Sequence, residues 1–182
     1  MNRVRTDDAG VIVVGGGHAG VEAALAAARM GVETILISGD VEKICTMPCN
    51  PSIGGSAKGQ LVREIDALGG EMGRVIDRSS VHVRMLNESK GPGVRALRAQ
   101  ADKALYARLM TATARAQARL RVVEGLVDDI LVSGGEVRGV VCADGAVYYA
   151  RRVVLATGTF LGGKIFRGEH SEDAGRFGEL PA

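Results

Sequence analysis

The sequence predicts a doubly wound, Rossmann-like α/β domain that also carries an antiparallel β-meander. Three observations predict it. A short, wholly apolar β-branched run, 11–14, is followed by a glycine turn, an Ala-rich helical stretch and a second apolar run, a complete βαβ unit over 11–38. Turn signals at Ser133-Gly134-Gly135 and Ala143-Asp144-Gly145 divide 128–150 into three alternating segments. A second buried-strand pattern, RVVLA, then runs into Thr157-Gly158 as a returning strand over 152–157.

Each segment follows from its residues. Val11-Ile12-Val13-Val14 reads as a strand buried on both faces. Residues 21–30 have high helix propensity, and Gly31 closes the helix as a C-terminal glycine. ETILIS, 33–38, reads as the second strand. Residues 40–59 form an irregular loop rich in Gly, Pro, Cys and Asn, and loops of that length in compact domains usually carry function. A helix over 60–68 places Leu61, Ile65 and Leu68 on one face, so loop and helix together occupy 40–70. Residues 81–86 alternate as a strand, and NESKGPG, 87–93, is a second irregular loop. Leu97, Ala101, Leu105 and Leu109 recur every fourth residue, which predicts one long amphipathic helix over 95–119. A strand follows over 120–127. The end, 168–182, is polar and Gly-rich, and the domain is expected to be incomplete there, without a closing strand or helix.

Composition bounds the function. The chain has 182 residues, enough for one domain, with 46% hydrophobic and 24% charged residues. Three Tyr, three Phe and no Trp leave the core to aliphatic side chains. A net charge of +2 neither requires nor excludes a nucleic-acid partner. Three cysteines, Cys45, Cys49 and Cys142, are too few for a disulfide framework. No apolar run has the length of a membrane span, and the first ten residues do not read as a signal peptide. A reducing, cytoplasmic compartment is expected.

Gly15, Gly17 and Gly20 form G-x-G-x-x-G between strand and helix. The first glycine permits the tight turn, the second admits a pyrophosphate to the backbone, and the third lets the helix pack on the strand. The helix N-terminus adds N–H donors and a partial positive charge. The acidic residue expected after the second strand is replaced by Ser38, with Asp40 as the alternative ribose partner. The meander together with the Thr157-Gly158 turn resembles the two-part FAD fold of the glutathione reductase type, and that resemblance favours FAD over NAD as the bound cofactor. Cys45 and Cys49 lie where that class carries a redox pair. Their three-residue spacing is one short, and Pro48 and Pro51 oppose a regular helix there. A flavin-dependent disulfide oxidoreductase is therefore the alternative reading, and a non-catalytic FAD-binding fragment is a third. No His or second cysteine pair completes a metal site.

CNPSIGG (49–55), AKG (57–59) and LVREIDALGG (61–70) together resemble the signature of the GidA/MnmG family, flavoenzymes of tRNA wobble-uridine modification. GGGHAG (15–20), NESKGPGVR (87–95), RAQAD (98–102), GTFL (158–161) and GKI (163–165) resemble it as well, so the likeness runs from about Val11 to the last residue. The resemblance implies addition of an aminomethyl or carboxymethylaminomethyl group at C5 of the wobble uridine. A methylene-folate would supply the one-carbon unit and NADH the reducing equivalents. It implies a homodimer with an MnmE-type GTPase partner and tRNA as substrate, with no membrane association. It places cofactor contacts on Gly15, Gly16, Gly17, His18, Ala19, Gly20, Val127 and Ala182, to which the residue reading adds Ser38, Thr157 and Gly158. It makes Cys49 the catalytic candidate. Lys58, Lys90 and Arg95, in the two signature loops, are the substrate-binding candidates for phosphates or a folate tail. The family continues well beyond this length, so the chain is expected to be the N-terminal part, 1–182, of a larger FAD-binding enzyme.

Overall fold

The computed structural model describes residues 5–175, with side chains from Ala9 onward. The first half is built from β1 (Arg5–Val14), α1 (His18–Arg29), β2 (Thr34–Ser38), β3 (Ser52–Gly54), α2 (Gly59–Ala67), α3 (Met72–Ser79) and β4 (Ser80–Leu86). The second half follows with β5 (Ala96–Ala101), α4 (Lys103–Ala116), β6 (Leu120–Glu124), β7 (Val127–Ser133), β8 (Glu136–Cys142), β9 (Val147–Leu155), β10 (Lys164–Arg167) and β11 (His170–Asp173).

The main sheet has the order β6-β2-β1-β9-β8-β7. β6, β2, β1 and β9 run parallel, and β9, β8 and β7 alternate in direction. The chain therefore leaves β1 toward β2 and β6 on one side and returns to it through β9 on the other. That reversal is the topological switch point at which doubly wound sheets bind ligands, beyond the carboxyl ends of the strands.

Two apolar layers cover the sheet. On one face Val13, Leu36 and Leu120 meet Val21, Ala24, Leu25 and Ala28 of α1, and Tyr106, Met110 and Ala114 of α4. The alanines let α1 lie close to the strands. On the other face Ile12, Val14, Ile35 and Ile37 are covered by Val140, Cys142, Tyr148 and Ala150 of the meander rather than by helices.

The doubly wound α/β reading and the three-stranded meander both hold, with the turns at the expected residues. Some elements differ. The returning strand expected over 152–157 is the second half of β9. Its first residues pair antiparallel with β8 while its whole length pairs parallel with β1, so meander and return are one strand ending at Leu155. The single helix expected over 95–119 is two elements. Residues Ala96–Ala101 pair with β4 and β3 in a separate three-stranded sheet of order β3-β5-β4, and only then does α4 begin. Asp102 makes the break: its side chain accepts from the N–H of Ala104 and of Leu105, both at 3.0 Å, as a helix N-cap does. The four-residue spacing that α4 buries is Tyr106, Met110 and Ala114, not Leu105 and Leu109.

Further elements were not expected, β3 in the first irregular loop and a Pro92–Val94 3-10 turn at the second among them. α3 follows the Gly69-Gly70 break, and a Val41–Lys43 3-10 turn lies within the 40–59 loop. A hairpin of β10 and β11 forms among residues read as irregular. α2 buries no residue, and Leu61 and Leu68 on its expected inner face are exposed. α3 buries Val75 and Ile76 in the main core, and polar contacts also hold this α2–α3 region. Glu22 of α1 accepts from the N–H of Glu71 and of Met72 at 3.0 and 2.6 Å, capping α3 from a neighbouring helix. Arg29 donates to the Gly69 carbonyl and to the buried Glu71 carboxylate, both at 2.6 Å, and to Gln117 at 3.2 Å.

The break at Asp102 fixes the sign of a mutational effect. Asp102→Ala is expected to destabilise the chain by about 1 kcal/mol, the usual loss of an N-cap. Were 95–119 one helix, the same change at an interior position would stabilise it by roughly 0.5 kcal/mol through propensity. Chemical denaturation of both proteins reads the sign.

Candidate functional site

β1, β2, β6 and β9 end at the same edge of the sheet because they are parallel. The glycine loop leaves β1 at that edge. Gly15 N–H donates to the Ile37 carbonyl at 2.8 Å, and Ala156 N–H donates to the Val14 carbonyl at 2.8 Å, so the loop starts pinned between β2 and β9. Gly15 has φ +113°, a left-handed conformation that glycine adopts without strain. A Cβ on Gly15 would strike the Ala156 carbonyl, and one on Gly20 would strike the Gly15 carbonyl. These two glycines serve the protein's own packing.

Gly17 is different. It is exposed, its φ of −73° and ψ of 178° suit any residue, and nothing lies within 4 Å of a Cβ placed there. It is the N-cap of α1, offers no side-chain cap, and is followed by no acidic residue in the first turn. The leading N–H groups of α1 thus open toward the mouth of the switch point, with their partial positive charge uncompensated. Exposed Ala19 extends that open surface, and half-buried Gly16 lies over the Ser38 side chain, its carbonyl accepting from Cys45 N–H at 3.0 Å.

His18 turns inward. Its ring packs on Tyr106 with centroids 5.6 Å apart, and burial lowers its pKa, so it sits neutral beneath the loop. Tyr106 is also buried, and loss of solvation raises its phenol pKa.

The residues around the edge divide into those that hold the loop after β2 and those that face outward. Ser38 is buried, and its hydroxyl donates to the Asp40 carbonyl at 3.0 Å. Asp40 caps the 3-10 turn through Glu42 N–H at 2.9 Å and pairs with Lys43 at 3.2 Å; the Lys43 ammonium is the main cause of its lowered pKa. Both residues are therefore engaged by their own loop. A carboxylate does stand here, however: Glu124, the last residue of β6, is in register with Ser38 and accepts from Val41 N–H at 3.2 Å. Sequence reasoning missed it because only strand order reveals that the end of β6 lies beside the end of β2. Gly125 N–H donates to the Ser38 carbonyl at 2.9 Å, which draws the turn before β7 to the same edge. Val127 opens β7 in that position, half-buried against the meander-side core. On the β9 side, Thr157 is half-buried and Gly158 exposed, directly after the Ala156 contact with Gly15. Ala182 lies outside the described residues.

The cysteines separate by environment. Cys45 is buried with φ +53°, and burial, with a smaller contribution from Glu22, pushes its thiol up to about 12. Cys142 is buried in the meander and its pKa is also raised, chiefly by desolvation. Cys49 is exposed, and all three are free thiols. This is not the arrangement of a matched redox pair. Among the described residues, no three His, Cys, Asp or Glu side chains form a metal-holding group, and no helix is long and apolar enough to cross a membrane.

The two signature loops meet. Asn87 Nδ2 donates to Ser56 Oγ at 2.8 Å and to the Val94 carbonyl at 3.0 Å, joining the turn before α2 to the loop between β4 and β5. Lys58 at the N-cap of α2, Lys90 in the second loop and Arg95 at the end of its 3-10 turn are all exposed around this junction.

Residues 10–182 match the family model of glucose inhibited division protein A. The chain is 56% identical to the tRNA uridine 5-carboxymethylaminomethyl modification enzyme MnmG of Ligilactobacillus salivarius, over 99% of this chain and 28% of that protein. It is 54% identical to the MnmG enzyme of Geobacillus thermodenitrificans, over 94% and 27%. Among solved structures, Aquifex aeolicus GidA in its form II crystal superposes with a TM-score of 0.94 at 46% identity, covering 98% of this chain and 30% of that one. A GidA-related protein from Thermus thermophilus shares the fold at TM-score 0.67 and 22% identity, over 94% and 63%. The chain thus spans a little over a quarter, 28%, of the first of these curated relatives.

Thiol environment yields a measurable order of reactivity. At pH 8, alkylation with iodoacetamide is expected to modify Cys49 and spare Cys45 and Cys142 until the chain unfolds, because the thiolate is the reactive form. Peptide mass spectrometry after timed quenching reads this; equal labelling of Cys45 and Cys49 in the folded chain would contradict it.

Proposed function

The chain belongs to the GidA family, and on that premise we propose that it forms the N-terminal part of the cofactor domain of a flavin-dependent tRNA-modifying enzyme. Its cofactor is FAD. When bound, the flavin supplies the two-electron chemistry that none of this chain's side chains provides. The chain's own residues hold and orient it. The open N-terminus of α1, from Gly17 to Gly20, receives the pyrophosphate, with Gly15 and Gly16 shaping the turn. Glu124 stands beside Ser38 where a ribose hydroxyl is accepted in related dinucleotide folds. The backbone at Val127 and the Thr157-Gly158 turn flank the same edge, and Ala182 is a further candidate contact.

The reaction proposed is addition of an aminomethyl or carboxymethylaminomethyl group at C5 of the wobble uridine. Methylene-folate would donate the carbon and NADH the reducing equivalents. Cys49 is the candidate nucleophile; among Cys45, Cys49 and Cys142 it alone presents an exposed thiol. Lys58, Lys90 and Arg95 are the candidate contacts to anionic substrate. The working assembly proposed is a cytoplasmic homodimer acting with an MnmE-type GTPase. The buried Cys45 thiol, pushed up to about 12, weighs against a disulfide oxidoreductase that would need it as a partner for Cys49.

One observation carries the cofactor reading: Gly17 has an ordinary backbone conformation and open space around it, so the fold itself does not require glycine there. Gly17→Val is expected to leave the unfolding midpoint within the small range of surface substitutions, about 0.5 kcal/mol, while weakening FAD binding at least tenfold. Flavin fluorescence titration and thermal melts of the two proteins test this together. A variant that binds FAD as tightly as the parent would remove the loop from the cofactor site.

A further inference from the structure

The small sheet β3-β5-β4 has two unlike faces. Directly opposed residues of antiparallel strands share a face, so Val83, Ala99 and Ile53 form one row, and Ala99 and Ile53 pack against the main core. The other face carries the rows Arg84–Arg98–Gly54 and His82–Gln100–Ser52. Arg84 is exposed and Arg98 half-exposed. Among the described residues neither arginine's side chain has a hydrogen bond or ion pair. Like charges set directly opposite each other, with Cβ atoms about 4.5–5.5 Å apart, oppose folding rather than support it. The pair therefore has no structural use within the described chain.

From this register we propose that the Arg84–Arg98 face binds phosphate esters. Two adjacent guanidinium forks match a phosphate group in charge and geometry better than a single carboxylate, and the row beside them adds His82, Gln100 and Ser52 as polar neighbours. The cations continue past the strand ends. Lys90 and Arg95 lie on the loop joining β4 to β5, and the Asn87–Ser56 contact brings Lys58 to the same end, against one acid in that loop, Glu88. Arg84 precedes the loop by three residues, about 10 Å of strand, so the cations extend beyond one phosphate and suit the backbone of a single-stranded RNA segment. Apart from His82 the face offers no aromatic ring for base stacking, which makes it a backbone-positioning surface rather than a sequence reader. The RNA source rests on the function proposed above; a free nucleotide is the other source of the same chemistry.

The test compares the 182-residue chain with Arg84→Gln/Arg98→Gln, using fluorescence anisotropy of a labelled single-stranded RNA oligonucleotide over a salt series and uridine monophosphate as competitor. The double variant is expected to bind RNA at least tenfold more weakly at low salt. The slope of log affinity against log salt is expected to fall by about 1.4, two contacts at about 0.7 each. Weak competition by the monophosphate assigns the face to RNA backbone, and competition at concentrations matching the RNA assigns it to free nucleotides; both keep a phosphate-ester site. Unchanged affinity and slope would overturn the proposal, as would an equal loss in a control variant, Arg108→Gln/Arg151→Gln, whose cations lie elsewhere. FAD titration of the same proteins separates the two readings: RNA bound through these arginines without any flavin binding would sink the flavin proposal and leave this one standing.

Discussion

Three stretches of backbone meet at the switch point with no room for side chains between them, and the remainder of the domain is arranged around that meeting. Gly20 lies against the Gly15 carbonyl and Gly15 against the Ala156 carbonyl, so α1, β1 and β9 come together at one place. Hydrogen bonds from Gly15 to Ile37 and from Ala156 to Val14 fasten the same point to β2 and β9. Because β9 is both the third strand of the meander and the partner of β1, this contact also fixes where the meander lies over the second face of the sheet. A helix N-terminus that opens at such a junction, with no side-chain cap of its own, keeps its donors for an incoming anion.

The signature segments are coupled to that junction by polar contacts as well as by the apolar packing of Ile53, Ala99 and Ala101 on the main core. Cys45 N–H binds the Gly16 carbonyl, so the cysteine loop starts from the glycine loop itself. Glu22, two residues past Gly20, caps α3, and Arg29 at the other end of α1 holds Glu71 and Gly69. Glu71 is buried, and removal of Arg29 would leave its charge uncompensated, which is costly in a low-dielectric setting. α1 thus serves two tasks: its first turn opens at the switch-point edge, and its polar side chains help set the position of α2 and α3. The mostly solvent-facing surface of α2 is consistent with a helix held in place at its flanks.

Much of this was legible in the residues. The strand–glycine–helix context located the glycine turn at the switch point, and the paired turn signals located the meander. What was missed depended on strand order or on competition between periods. The spacing of Leu97, Ala101, Leu105 and Leu109 fits a helix, yet Asp102 caps a helix that starts only at Lys103, and β3 and β4 satisfy the backbone of residues 96–101. An Asp before a helical run was a readable signal that the four-residue pattern overrode. Glu124 was not legible, and Arg84 and Arg98 were legible only as basic residues near the two loops, favoured as solvated surface; their pairing shows only from the residue opposite each on a neighbouring strand. The β10–β11 hairpin, closed by Gly168 at φ +59°, lies in a segment whose polar composition hid its pairing.

The account centres on one edge of the main sheet as the place where a flavin dinucleotide is held. Amide hydrogen exchange of the chain with and without saturating FAD addresses this most directly, since it reports which backbone N–H groups the ligand covers. The account predicts added protection at His18, Ala19 and Gly20 and at residues 156–158, with little change in β4, β5 and the β7–β8 turn. Protection confined to the small sheet or the meander turns, with the amides of the glycine loop unchanged, would contradict it.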